Sequence, residues 1–133
     1  MSNVFKVTTA NIIRTKEADI DGVVYIVRNK GGGDTLDMSI VSSKIAKISK
    51  AMLEIKNKFN TVKKDEEKMS LLGDMEELTG KMLEAQTNLE NCYAALFDDG
   101  GDQKKAKAMV HKYGVEGIEK ILQQIFGAEN EAE

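Results

Sequence analysis

VSSKIAKISKAMLEIKNKFNTV, residues 41–62, and LLGDMEELTGKMLEAQTNLENCYAAL, residues 71–96, decide the fold. In the first, Val41, Ile45, Ile48, Met52, Ile55, Phe59 and Val62 recur at steps of four and three, the a/d seam of a heptad helix. In the second, Leu71, Met75, Leu78, Met82, Ala85, Leu89, Cys92 and Leu96 step in the same way. The seams are out of register, because Val62 and Leu71 lie nine residues apart, two more than a heptad. Either a turn lies in the charged run Lys63–Lys68 or one long helix shifts its face there. Charge favours the turn. Residues 37–64 carry seven Lys against Asp37 and Glu54, net +5, whereas residues 65–99 carry ten acids against Lys68 and Lys81, net −8. An antiparallel hairpin lays the basic arm on the acidic one, each exposed pair adding roughly a few tenths of a kcal/mol.

Upstream of the seams the composition changes in kind. Residues 1–36 are rich in β-branched side chains: Val4, Val7, Thr8, Thr9, Ile12 and Ile13, then VVYIVR at 23–28. Asp21-Gly22 just before that run is a hairpin-turn signal, and Gly31-Gly32-Gly33 after it reads as a flexible joint, since glycines are costly inside helices and strands. Asp37 is read as the N-cap of the first helix, with Asp34 as the earlier alternative. A small β-hairpin or three-strand element is expected. Two strands alone are marginal in water, so they should pack on the helices or pair with another copy.

Downstream, Asp98-Asp99-Gly100-Gly101-Asp102 breaks the helix, with Asp102 as cap of the next. A short helix follows with Ala106, Met109 and Val110 on one side, and Gly114 ends it. The last helix has a wide apolar face of Ile118, Ile121, Leu122, Ile125 and Phe126. The chain therefore reads as α+β and mainly α: a small N-terminal β-hairpin element, a long antiparallel helical hairpin and two short C-terminal helices. One domain is expected, with a β-rich element and joint at 1–36, a helical body at 37–127 (helices 37–62, 66–98, 103–113 and 115–126) and a disordered acidic tail at 128–133.

Composition narrows the function. The 133 residues are 41% hydrophobic and 5% aromatic, and the net charge of −3 is matched by the tail residues Glu129, Glu131 and Glu133. A near-neutral body without a basic stripe or stacking aromatics is not the footprint of a nucleic-acid binder. The longest apolar run is far short of the roughly 20 residues of a membrane span, and MSNVFKVTTAN lacks an apolar signal core, so a cytoplasmic location is expected. One Cys and one His leave no set of soft metal ligands and few acid–base arrangements, so neither metal, cofactor nor catalytic residue is expected.

Three weaker signals are each explained more simply by structure. Gly31–Asp34 ahead of a helix could cradle phosphate, but it lacks the GK[ST] ending of a P-loop and Asp34 would repel the anion. Asp98, Asp99 and Asp102 suggest a calcium loop, but the alternation and the closing Glu are missing. Cys92 could be a nucleophile with His111 as base, but it sits on an apolar seam. The methionines say more. Met52, Met75 and Met82 on the seams give a soft, adaptable surface suited to varied partner helices.

The order of parts, IDGVVYIVRN, a Gly joint, a long charged helical middle and the closing FDDGGDQKKAKAMVHKYGVEGIEKILQQIFG, resembles the tail assembly chaperones of long-tailed bacteriophages and prophages. The resemblance implies a non-enzymatic protein that binds and solubilises the helical tape measure protein, helps recruit tail tube subunits, oligomerises, works in the host cytoplasm and is absent from the mature virion. On that reading Ile118, Ile121, Leu122, Ile125 and Phe126 are the expected protein-binding surface, with Met75 and Met82 as secondary candidates. The alternatives are a coiled-coil scaffold or structural phage protein, and a dimeric regulatory or secretion-type adaptor.

Overall fold

The computed structural model describes residues 4–8 and 13–131, with side chains as far as Gly127. Thr9 and Ile12 of the predicted strand region, and the side chains of the acidic tail, lie outside the described residues. The element order is β1 (Thr15–Ile20), β2 (Val23–Arg28), α1 (Gly32–Thr61), α2 (Asp65–Ala94), β3 (Phe97–Asp98) and α3 (Lys104–Glu131). The mainly α, α+β layout matches the sequence reading.

β1 and β2 form an antiparallel hairpin in which Ile20 faces Val23 and Thr15 faces Arg28. Asp21 and Gly22 both have positive φ, 54° and 86°, the two-residue turn whose twist suits adjoining strands. The Asp19 side chain accepts a 2.9 Å hydrogen bond from the Gly22 N–H and so fixes the turn. The third strand comes from far along the chain. After α2, Phe97 pairs with Val27 and Asp98 with Ile26, so the sheet order is β1-β2-β3. Helix 66–98 of the sequence reading therefore ends at Ala94, and residues 97 and 98 are strand.

α1 starts at Gly32, five residues before the predicted helix start at 37. The predicted joint is its first turn. Gly31 is the N-cap, and the Asp34 side chain at the third helical position reaches back to accept the Gly31 N–H at 2.8 Å, the acidic half of a capping box. Asp34 is also gripped by Arg28 at the end of β2, which joins sheet to helix. The break between the arms falls at residues 62–64, and α2 starts with Asp65, Glu66 and Glu67 in its first turn, acids favoured at the positive end of a helix dipole. The hairpin form is thus the observed one.

α3 is bent at Gly114 (φ 73°, ψ 168°) into the arms 104–113 and 115–131, so the two predicted helices are present and the second extends past residue 126, over the first part of the predicted tail 128–133. Asp99 caps the first arm, its Oδ2 accepting the N–H groups of Lys105 (3.0 Å) and Ala106 (3.2 Å). Asp102, the predicted cap, accepts the Lys104 N–H at 3.2 Å and pairs with the Lys104 ammonium at 3.6 Å.

The core lies where the sheet, α3 and the open end of the hairpin, the start of α1 and the end of α2, meet. It holds Tyr25 and Val27 of β2, Phe97 of β3, Met38 of α1, Tyr93 and Ala94 of α2, Leu96, and six side chains of α3: Ala106, Met109, Val110, Ile118, Leu122 and Phe126. Tyr25 and Phe97 meet edge to face, centroids 6.0 Å apart at 86°, a favoured aromatic arrangement. α1 contributes only Met38 to this core, and the rest of the hairpin extends beyond it.

Candidate functional site

The residues expected to bind a partner divide into two groups. Ile118, Leu122 and Phe126 have 0%, 6% and 4% of their surface exposed and belong to the chain's own core. The sheet and the end of α2 together cover the last helix. Their role in the observed fold is packing, which corrects the expectation that the whole face is open to a partner. Ile121 and Ile125 are half-buried and form the floor of a groove whose other wall is Ala18 and Ile20 of β1.

Met75 and Met82 lie on the arm, the part of the hairpin beyond Ile45 and Gln86, where the last groove against α3 ends. Each helix has 30 residues, about 45 Å at 1.5 Å per residue. All seven seam residues of α1, from Val41 to Val62, are half-buried. So are Leu71, Met75, Leu78, Met82 and Leu89 of α2, while Ala85 is buried within the hairpin. A pair of helices covers one flank of each seam residue and leaves another to solvent, unlike a bundle. Leu53, Met69, Leu72 and Leu83, all more than half exposed, extend the apolar surface. A groove along the hairpin is walled by Lys44 and Lys47 on the α1 side and by Glu84 and Asn88 on the α2 side, with Ile48 and Ala85 in its floor and Lys81 at its rim. Such a groove can take the apolar stripe of another helix, with a basic flank on α1 and a balanced one, Lys81 and Glu84, on α2.

The remaining chemical signals are taken up by the fold. Asp34 occupies the position a phosphate would need at the start of α1, and Arg28 holds its carboxyl below the usual range, assisted by the Gly31 N–H. Asp99 meets an opposing cost from desolvation, yet the backbone N–H groups of Ala106, Gly101, Gln103 and Lys105 keep its carboxyl below the usual range. Burial pushes the Cys92 thiol up, with Asp37 and Asp34 adding to the effect, the reverse of nucleophile activation. His111 Nδ1 lies 2.8 Å from Glu90 Oε1 on an exposed side chain. Among the described residues no group of three or more His, Cys, Asp or Glu is placed to hold a metal ion, and no helix is long and apolar enough to cross a membrane.

Two features are not evident from sequence. The first is a junction at Glu119, whose Oε1 accepts from Lys30 Nζ at 2.6 Å and from the Tyr93 hydroxyl at 2.5 Å, tying the β2–α1 link, α2 and α3 together. The second is the outer face of the sheet, where Val24 and Ile26 are 57% and 49% exposed opposite Asp19 and Glu17. The run VVYIVR is nearly continuous in apolar residues, so alternation could not tell its inner face from its outer one. No family model matches the chain, and no curated protein or solved structure matches it at a significant level.

Proposed function

We propose that the chain is a non-enzymatic assembly chaperone that lays a long helical client along the open seam of its α1–α2 arm. The observation that carries this reading is the state of the seam: two 30-residue helices whose seam positions along the arm are only partly buried, with three flexible methionines, Met52, Met75 and Met82, among them. A third helix seated there removes the remaining apolar surface from water at about 25 cal/mol per Å2. The basic α1 flank, Lys44 and Lys47, favours a client helix with acids on the facing side of its stripe.

The layout-level resemblance to phage tail assembly chaperones names the client class: the tape measure protein, a long and largely helical chain that must stay soluble before the tail tube closes around it. In this reading the chaperone acts in the host cytoplasm, helps bring in tube subunits and leaves before the virion is complete. The binding surface moves from the last helix to the arm, with Met75 and Met82 retained and Ile118, Leu122 and Phe126 assigned to the core.

Co-expression tests it. A tape measure protein that aggregates alone should become soluble with this chain, and the pair Met75→Ala with Met82→Ala should weaken the effect while helicity is kept. A chain that leaves the client aggregated contradicts the proposal, and one retained in purified virions supports a scaffold instead.

A further inference from the structure

The groove between β1 and α3 has a free strand edge on one side. In the β1–β2 hairpin Arg14, Lys16, Ala18 and Ile20 sit at the positions that bond across to β2, since the Asn29 N–H donates to the Arg14 carbonyl at 3.0 Å and the two-residue turn closes on Ile20 and Val23. Thr15, Glu17 and Asp19 therefore turn their N–H and C=O groups toward the open edge, and among the described residues no backbone partner meets them. An unpaired edge is a template for another strand. The side chains of Glu17 and Asp19 stand on the outer face, and those of Ala18 and Ile20 face the groove floored by Ile121 and Ile125.

Residues 4–8, VFKVT, have strand composition but no strand in this structure. Phe5 is 87% exposed and Val7 66%. In an extended segment Phe5 and Val7 share one face, and Lys6 lies on the other.

From this complementarity we propose that the segment Val4–Thr8 of one copy adds as a fourth strand to the β1 edge of a second copy. Phe5 and Val7 enter the groove over Ile121 and Ile125, and Lys6 lies between Glu17 and Asp19. The acids on the edge strand set the specificity: they repel an acidic or neutral strand and accept one that carries lysine. The occupant is a second copy because the chain's own segment leaves Phe5 and Val7 in solvent while its own edge is open. Donor and acceptor are different surfaces, so two copies can exchange segments reciprocally as a closed dimer, or each can pass its segment to the next in a head-to-tail chain. This proposal does not depend on the client reading, because the arm takes no part in it.

Light scattering across a concentration series, on the full chain, tests it. Wild type should rise from the 14.7 kDa of one chain to multiples of that mass. The pair Phe5→Asp with Val7→Asp should stay at one chain with an unchanged melting temperature. Lys6→Glu should weaken association roughly tenfold, and Lys6→Glu combined with Glu17→Lys and Asp19→Lys should restore it. Three results would overturn the proposal: a monomeric wild type at every concentration; association undiminished by the Phe5 and Val7 changes; or a monomer whose melting temperature falls on those changes, which places the segment on its own chain.

Discussion

Arg28 grips Asp34 with both terminal nitrogens of its guanidinium, Nη1 donating to Oδ2 and Nη2 to Oδ1 at 2.9 Å. The pair bridges the last residue of β2 and the first turn of α1, so it fixes how the arm leaves the sheet. Arg28→Ala or Asp34→Ala should each cost about 1 kcal/mol, a charge-assisted pair discounted for its partial exposure, and a double-mutant cycle by urea unfolding should show that the two losses do not add.

The same pair sets an acid limit. Arg28 holds the Asp34 carboxyl below its ordinary 3.8, so its contribution to stability is full above that pH and disappears as the pH falls through the lower folded-state value. Acid unfolding of Asp34→Asn should be shallower below pH 3.8 than that of wild type.

Alkaline titration should show the opposite sign. Burial, then the hydrogen bond to Glu119, raises the Tyr93 hydroxyl well above its ordinary 10. Burial also raises Tyr25, and a hydrogen bond to Asp21 raises Tyr113. Stability from these groups is present below pH 10 and is lost as pH rises through the folded values. Phenolate absorbance of the native chain should therefore lag behind that of the chain in denaturant, and Tyr93→Phe should remove part of the lag.

Gly114 bends α3 at φ 73° and ψ 168°, a region almost restricted to glycine. Nothing lies within 4 Å of where its Cβ would be, so the cost of Gly114→Ala is backbone strain alone, about 2 kcal/mol by thermal unfolding.

How far the fold was legible depends on how local each signal is. The seams could be read because each repeats over about three heptads, so a chance match at one position does not alter the phase. The third strand could not. Phe97 and Asp98 are two residues, and their strand character exists only because Val27 and Ile26 lie beside them in space. The glycines at 31–33 read as a joint because entropy disfavours them in a helix, while the Asp34 side chain offsets that cost by holding the Gly31 N–H and pairing with Arg28. The last helix shows the limit most clearly: its apolar face says that Ile118, Leu122 and Phe126 are covered, but not that the cover is the chain's own sheet and the end of its own α2.

That division of the last helix can be checked directly. Ile118 is fully buried, so Ile118→Ala should cost about 3 kcal/mol and Ile118→Asp should unfold the chain. Ile121 is half-exposed on the groove, so Ile121→Asp should leave a cooperatively folding protein, as seen by circular dichroism.

If the arm seats the client, its amides are the ones that a bound helix protects. Hydrogen exchange of the chain, alone and mixed with a tape measure protein, reads each helix separately. Exchange should slow along residues 45–62 and 69–85, with the sheet and α3 unchanged. Protection confined to α3 and the sheet, or none at all, would contradict it.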